Sequence, residues 1–466
     1  MATDSQTTGP ARSLSEKFYF TVWRWHFYAG LYVIPFLIML AVTGLVMMYI
    51  AVFSGRDGEH ISVTPTGVAL SLEQQSQAAL NALPVATLVE WIGAAQADRA
   101  SVFRVKSEGV QHLVAVNPYD ATVIASWVRQ AGWYDFANDI HGTLLIGDTG
   151  DRLIEIAAGL GIVLVLTGLY LWWPRTTGLR AVLVPDLAAR GRALWKSLHA
   201  VTAFYISLVL VLFLLSGLSW TGIWGEKLVQ AWSSFPAEKW ENVPLSDDTH
   251  ANMNHGAIKD VPWALEQTLM PESGSDAGIE GLPADVPATV DSIAMLGRAL
   301  GYEGRFRINF PSGETGVWTL NQDSMSNDSD CPTCDRTVHI DQHTGKILAD
   351  IGFADYSLMG KSMAVGIALH EGDMGLWNLI LNTVFCLSVI FVSVSGVVMW
   401  IKRRPSGAGR LAAPPAPADL PLWKGAALIC IVTSLAFPLV GLTLLAVLAF
   451  DVLILGTIPA VKRALS

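Results

Sequence analysis

Four histidines beside apolar segments have the residue type and spacing that best fit cofactor chemistry. They are His26, His141, His199 and His370. A neutral imidazole has one donor nitrogen and one acceptor nitrogen, and a histidine near a membrane interior needs a partner for each. Two imidazoles that face each other can supply both axial ligands of a haem iron. The chemistry therefore depends on whether the four histidines pair.

The histidines recur at regular distances from a second repeated feature, a hydroxyl residue followed by glycine. Four such pairs follow the four histidines in turn: Thr43-Gly44, Thr167-Gly168, Ser216-Gly217 and Ser395-Gly396. The first and third histidines precede their pairs by 17 residues each, and the second and fourth by 26 and 25 residues. The two halves of the chain therefore repeat each other, which indicates an internal duplication.

The composition favours a membrane protein, because 52% of the residues are hydrophobic and 15% are charged. Apolar runs long enough to cross a membrane core of about 30 Å are predicted at 27–50, 153–173, 200–222 and 376–401. Residues 422–460 are predicted to form two closing spans. The predicted fold is an α-helical integral membrane bundle of four core spans plus a C-terminal two-span hairpin.

The distribution of charge predicts the orientation in the membrane. Half of the 30 Lys and Arg residues, but only four of the 40 acids, lie in the N-terminus, loops 174–199 and 402–424, and the C-terminal tail. By the positive-inside rule these segments and both termini are cytoplasmic, and the long loops 51–152 and 223–375 lie outside. The net charge of −10 argues against nucleic acid as a partner. The first apolar run is longer than a signal peptide and no cleavage site follows it, so we expect it to remain as an anchor.

The two external loops repeat a helix followed by strand, turn and strand. The helices are SLEQQSQAALNAL and DSIAMLGRALGY, and the strand pairs are HLVAVNPYDATVIAS and TVHIDQHTGKILADI. We therefore expect two small α+β domains, at 51–133 and 223–355. The connectors that follow, 134–152 and 356–375, are expected to form short interfacial helices.

Depth in the membrane pairs the histidines. Spans one and three run outward, so His26 and His199 share a level near the cytoplasmic face. Spans two and four run inward, so His141 and His370 share a level near the external face. Two bis-imidazole sites favour two haems. Another metal and purely structural histidines are the alternatives, and zinc is less attractive because two imidazoles leave its site short of ligands. Four basic residues could meet haem propionates: Arg24, Arg152, Arg180 and Lys196.

The span ends LTGLYLWWPR and SGVVMWIKRRP, with IHGTLL and LHEG ahead of the inward spans, carry a family resemblance. Together with the doubled span–domain–span layout, they resemble the PepSY-associated transmembrane family over about residues 15–405. These are multi-pass proteins of the bacterial inner membrane, often iron-regulated, and they include di-haem ferric-siderophore reductases. The resemblance implies periplasmic PepSY-like domains in the two long loops. It also implies two b-type haems, with ligands at the positions His26, His199, His141 and His370.

By this resemblance the chain is expected to be a ferric-siderophore reductase that reduces periplasmic Fe(III) to Fe(II) for iron release. The sequence has no Walker loop, dinucleotide fingerprint or serine-triad context, so a quinol in the bilayer or a separate cytoplasmic reductase is the expected electron donor. One alternative is electron transfer to another periplasmic acceptor. A second is a haem-free PepSY protein that imports siderophores or has a regulatory role.

An aromatic cluster precedes the external histidines and could form an apolar platform for a bulky ferric chelate. It could equally seat the external domains on the bilayer. The cluster comprises Trp133, Tyr134, Phe136, Phe353 and Tyr356.

Two further groups are candidates for metal or redox chemistry in the external loops. Cys331 and Cys334 are expected to form a structural disulfide in an oxidising compartment, with thiol chemistry or metal binding as alternatives. Four loop and strand histidines could bind metal, although solvated side chains are the favoured interpretation. They are His250, His255, His339 and His343.

Overall fold

A computed structural model of the chain describes residues 13–175, 178–229, 242–253, 261–404, 411, 413–414, 423–450 and 453. His255 and the end of the predicted last span lie outside these residues. The chain divides into two compact units, one of residues 1–41, 148–229 and 384–466, and the other of residues 42–147 and 230–383. The first unit is helical, and the second contains the β-strands.

Eleven α-helices occur in the described part of the chain. They are α1 (Leu14–Ser54), α2 (Leu72–Asn81), α3 (Trp133–Thr143), α4 (Asp148–Trp172), α5 (Arg180–Leu183), α6 (Gly191–Leu218), α7 (Val290–Ala299), α8 (Leu358–Glu371), α9 (Leu376–Arg403), α10 (Trp423–Ala436) and α11 (Pro438–Phe450). Helices α1, α4, α6 and α9 are long and apolar enough to cross a membrane. They coincide with the four predicted core spans.

The C-terminal hairpin is described only in part, as two short helices. Helices α10 and α11 have 14 and 13 residues, which corresponds to about 20 Å each against a hydrocarbon core of about 30 Å. The helix breaks at Phe437, because Pro438 cannot donate to the preceding turn but can begin a helix. The outer ends of both predicted spans lie outside the described residues, so the prediction of two closing spans stays a prediction.

The hairpin packs within the helical unit against α4 and the segment that follows α6. A Cβ atom on Gly159 of α4 would lie 2.6 Å from the side chain of Val440, so only glycine allows this approach. The Trp224 indole N–H donates a 2.8 Å hydrogen bond to the carbonyl of Ala436. The Trp224 ring also stacks on Phe437.

The strands of the second unit form one eight-stranded antiparallel sheet and a small two-stranded sheet. The strands are β1 (Ala86–Ile92), β2 (Ser101–Ser107), β3 (Val110–Val116), β4 (Val123–Val128), β5 (Leu245–Thr249), β6 (Leu269–Pro271), β7 (Arg307–Asn309), β8 (Val317–Gln322), β9 (Arg336–Asp341) and β10 (Ile347–Gly352). The large sheet has the order β10-β9-β8-β7-β1-β2-β3-β4, and β5 pairs with β6.

The two loops predicted to form two small domains share one large sheet. Each external loop contributes one helix and four strands, in mirrored order about the junction of β1 and β7. These two strands pair antiparallel, with Trp91 opposite Ile308. The two predicted α+β regions are therefore two halves of one sheet.

Helices α2 and α7 are each started by a capping box and cover one apolar core. Ser71 caps α2 and Thr289 caps α7. A carboxylate of α7 joins the two helices, because Asp291 accepts hydrogen bonds from the α2 backbone at Leu72 (2.7 Å) and Glu73 (3.0 Å). The core beneath them contains side chains from both loops, including Phe103, Phe306, Ile308, Leu320 and Ile340.

A buried ion network also joins the two loops. Arg307 lies 3.0 Å from a carboxylate oxygen of Asp57, in the first loop, and 3.0 Å from one of Asp328, in the second. Arg104 pairs with Glu90 at 3.2 Å. Buried charges are tolerated when they are paired and hydrogen-bonded in this way. Although burial opposes ionisation, the Arg307 guanidinium helps to hold the pKa of Asp57 well below its ordinary value.

Candidate cofactor site

The two histidines predicted at the external level, His141 and His370, are called the external histidines, and they lie on two short helices of the same unit. His141 is near the end of α3 and His370 is near the end of α8. Their ring centroids are 6.3 Å apart and their planes are 79° apart. Metal–imidazole bonds of about 2.0–2.1 Å on both sides of one ion, with each centroid about 1.1 Å behind its nitrogen, would separate the centroids by roughly 6.3 Å. The spacing therefore fits two axial ligands of one ion.

The surroundings of the two rings bear on their ability to bind a metal. His141 Nδ1 lies 2.8 Å from the hydroxyl of Thr43 on α1. Burial, with the nearby His141, lowers the pKa of His370 to about 3. The ring of His370 is therefore neutral at pH 7, and a neutral imidazole has the lone pair that binds metal.

Two asparagines of α9 hold the end of α8 in place. The Asn382 side-chain amide donates to the carbonyls of Leu369 (2.8 Å) and His370 (3.1 Å). Asn378 donates to Leu369 at 3.0 Å and accepts a hydrogen bond from the backbone of Met374. These bonds satisfy carbonyls that a helix terminus leaves unpaired. Neither asparagine was predicted as a site residue from the sequence, although two amides four positions apart in an apolar span indicate a specific contact.

The two histidines predicted at the cytoplasmic level, His26 and His199, are called the internal histidines, and they lie on long helices of the other unit. His26 is on α1 and His199 is on α6, and the two interact electrostatically. His26 Nδ1 lies 3.1 Å from the hydroxyl of Thr167 on α4. His199 Nδ1 lies 2.9 Å from the hydroxyl of Ser395 and 3.0 Å from the carbonyl of Val392, both on α9.

Three of the repeated hydroxyl–glycine pairs thus contact a histidine, and in each case the glycine lies against the ring edge. A Cβ atom on Gly168 would lie 3.0 Å from Cε1 of His26. The corresponding distances are 3.7 Å from Gly44 to His141 and 3.7 Å from Gly396 to His199.

The donor set fits haem better than a metal held only by side chains. Within the described residues no group of three or more His, Cys, Asp or Glu side chains is placed to hold a metal ion. Structural zinc requires four protein ligands, whereas haem iron takes four nitrogens from its own macrocycle and two from the protein. The two imidazoles of His141 and His370, at a centroid separation of 6.3 Å, therefore fit the two protein ligands that a haem requires.

The predicted aromatic platform does not form one exposed surface. Trp133 and Phe136 are 77% and 47% exposed and meet edge to face. Tyr134 instead hydrogen-bonds with Arg56 at 3.1 Å. Tyr356 is 3% exposed and belongs to an apolar cluster with Phe353 at its margin. Tyr356 is therefore a core residue. Of the five residues of the predicted platform, only Trp133 and Phe136 have a large exposed aromatic area.

Two of the four basic residues considered as partners of haem propionates already form hydrogen bonds or an ion pair with other protein groups. Arg24 hydrogen-bonds with the hydroxyl of Tyr28 at 3.2 Å and with the carbonyl of Pro414. Arg152 forms an ion pair with Asp151. Arg180 and Lys196 are exposed.

The remaining candidates, the two cysteines and the loop histidines, make contacts with other protein groups. Cys331 and Cys334 are joined by a disulfide. His250 and His339 are buried, with their Nε2 atoms 2.9 Å apart, so the expectation of solvated side chains is wrong for these two. His343 is exposed and hydrogen-bonds with the carbonyl of Glu314.

Comparison with known proteins agrees with the resemblance noted in the sequence. No curated protein matches the chain. A family profile described as the PepSY-associated TM region matches residues 23–403, which include all four histidines, three of the candidate spans and most of the first. The chain therefore belongs to the PepSY-associated TM family.

Proposed function

We propose that this protein is a transmembrane b-type cytochrome that reduces ferric-siderophore iron on the periplasmic side of the bacterial inner membrane. The observation that supports this most strongly is the 6.3 Å separation of the His141 and His370 rings. This separation agrees with the spacing of two ligands about one ion, and it occurs at two of the four histidines that the internal repeat singles out. Each histidine pair would hold one haem, which would supply one-electron Fe(II)/Fe(III) chemistry.

The residues of the chain would bind, orient and insulate these haems. His26 with His199, and His141 with His370, would supply the axial nitrogens. The apolar helices α1, α4, α6 and α9 would keep water away from His26 and His199, and low solvent access is one of the factors that set a redox potential.

The topology predicted from charge gives the reaction its direction. Electrons would enter near His26 and His199 from a quinol or a cytoplasmic reductase, and leave near His141 and His370. One electron converts chelated Fe(III) to Fe(II), which hard siderophore oxygens hold less tightly. No general acid or base is needed for the transfer. The exposed pair Trp133 and Phe136 is the remaining candidate for an apolar contact with the chelate.

The direct test is to reduce purified protein without oxygen, add a ferric siderophore and trap Fe(II) with a ferrous-specific chelator. We expect the haem to be reoxidised and about one Fe(II) to appear per haem electron. In His370→Ala this Fe(II) should be largely lost, while the exposed-residue variant His60→Ala should behave as wild type. Reducible haem without Fe(II) formation would indicate another periplasmic acceptor. Protein without haem would favour the importer or regulator alternative.

A further inference from the structure

The hydroxyl–glycine pairs determine which nitrogen of each internal histidine carries the proton. The hydroxyl of Thr167 lies 2.7 Å from the carbonyl of Val163 and 3.0 Å from that of Leu164, and its single proton is donated there. Its oxygen must then accept from His26, so Nδ1 of His26 bears hydrogen.

His199 gives the same result by an independent route. Its Nδ1 lies 3.0 Å from the carbonyl of Val392, and a carbonyl can only accept. The hydroxyl of Ser395 donates to the same carbonyl at 2.8 Å and can therefore only accept from the ring. In both neutral rings the lone pair is consequently on Nε2, the atom that remains for a metal.

We propose that Thr43-Gly44, Thr167-Gly168 and Ser395-Gly396 are positioning elements for His141, His26 and His199 as haem ligands. At Thr167 and Ser395 the hydroxyl accepts the Nδ1 proton, and in all three pairs the hydroxyl contact fixes the ring rotation. The glycine leaves space at Cε1, the ring atom between the two nitrogens. This inference rests on the proposed haem function.

The helices themselves do not require this arrangement. A Ser or Thr hydroxyl within a helix commonly bonds to a carbonyl one turn earlier and needs no further partner. Ser388 of α9 is an example, because its hydroxyl bonds to the carbonyl of Val384 at 2.7 Å. The additional contact with a histidine, and the glycine after it, occur at three places on three helices.

Partners of this kind affect a metal site in two ways. They fix the orientation of the ligand and raise its basicity, and their loss typically costs about 10–100-fold in metal affinity. A more basic ligand stabilises Fe(III), so removal of the acceptor hydroxyl should raise the midpoint potential of the haem. Each effect should be confined to the haem that the altered histidine binds.

The test compares haem retention, midpoint potential and the low-spin EPR signal across matched variants of the full chain. Thr167→Val combined with Ser395→Ala should speed loss of the internal haem by about 10–100-fold and raise its potential, with the external haem unchanged. Thr43→Val should affect only the external haem. Ser388→Ala removes a comparable α9 hydroxyl that contacts α9 itself, and should leave both signals as in wild type. Thr167→Ser should retain wild-type properties, because it keeps the acceptor oxygen.

The glycines give a graded second test. Gly168→Ala would place a Cβ atom 3.0 Å from His26, whereas Gly44→Ala and Gly396→Ala would place theirs at 3.7 Å, an ordinary van der Waals contact. We expect Gly168→Ala to disturb its haem most and the other two much less.

The outcomes separate this inference from the proposed function. Wild-type protein without haem would overturn both. Two haems in the wild type, with unchanged potentials, EPR signals and haem retention in the hydroxyl variants, would overturn only the positioning role. Equal disturbance of both haems by each variant would indicate general destabilisation and would also overturn it.

Discussion

The internal and external histidine pairs are held by different kinds of structure. His26 and His199 lie on helices of 41 and 28 residues. His141 and His370 lie on helices of 11 and 14 residues. Helices as short as these are marginal alone and depend on tertiary contacts. The internal pair therefore depends mainly on packing between long helices, and the external pair on contacts at the ends of short ones.

The ends of the two short helices show this dependence. Helix α8 ends at Gly372 in the left-handed conformation, with its last carbonyls bonded to Asn378 and Asn382. Helix α3 ends at Leu144 and Leu145, which have positive φ angles of 53° and 61°. Such angles in residues other than glycine cost about 1–3 kcal/mol each and persist where the surroundings enforce them. We therefore expect the external site to be the more sensitive to mutation and to acid.

The largest expected effect is the loss of one haem per chain in single histidine variants. His370→Ala or His141→Ala should remove the external haem and leave the internal one. His26→Ala or His199→Ala should leave an external haem that a cytoplasmic-side donor does not reduce. Haem content per chain, measured with reduced-minus-oxidised spectra, checks both. Full haem content in every variant would contradict the pairing.

The next largest effect is expected from acid, which should destabilise the unit that contains the buried pair His250 and His339 before the other unit. Burial lowers the pKa of His250 from 6.5 to about 4, and burial with the charge of His250 lowers that of His339 further. A group whose folded pKa is depressed in this way is neutral when folded. It binds protons in the unfolded chain first, so its contribution to stability is complete above pH 6.5 and declines as the pH falls toward 4. For His250 the contribution is roughly 3 kcal/mol.

The measurement is thermal unfolding of wild type and His250→Gln between pH 7.5 and pH 4.5. The wild type should lose stability more steeply over this interval, and the external haem should be released before the internal one. Parallel pH curves for the two proteins would contradict the assignment to His250.

Removal of an α8 cap should weaken the external site selectively. Asn382→Leu leaves the carbonyls of Leu369 and His370 without this donor, at a cost of about 2 kcal/mol. We expect faster loss of the external haem with the internal haem unchanged. The hydroxyl of Thr383, on the same helix, bonds to its own helix and to Tyr49 rather than to α8. The variant Thr383→Val therefore serves as the control. Equal loss of both haems in Asn382→Leu would show that the cap is not specific to the external site.

The smallest effect is expected from the disulfide. Cys331→Ser with Cys334→Ser opens a loop of only a few residues, which should cost at most about 2 kcal/mol. Both haems and Fe(II) formation should be retained. Loss of Fe(II) formation with both haems in place would instead favour the thiol-chemistry alternative.

The sequence was sufficient for features that arise from local patterns. The four long spans follow from uninterrupted apolar runs, and α2 and α7 follow from helical periodicity with capping residues. The pairing of the histidines was predicted from their depth in the membrane, and the rings of His141 and His370 lie 6.3 Å apart. The hydroxyl–glycine pairs were recognised as a repeat, but their contact with the histidines required the three-dimensional packing of neighbouring helices.

Features that depend on long-range pairing were not predictable in the same way. The junction of β1 with β7 joins segments more than 200 residues apart, and no local pattern specifies it. The burial of Tyr356, His250 and His339 depends on the same assembly. The apolar run at 422–460 predicted two helices, and the described residues contain two, separated at Phe437.

The most direct test of the central proposal is a pyridine haemochromogen assay on detergent-purified protein, quantified per chain. Two bis-imidazole sites predict about two b-type haems in the wild type and about one in His370→Ala. A wild type without haem would contradict the proposal and leave the four histidines with a structural or other metal-binding role.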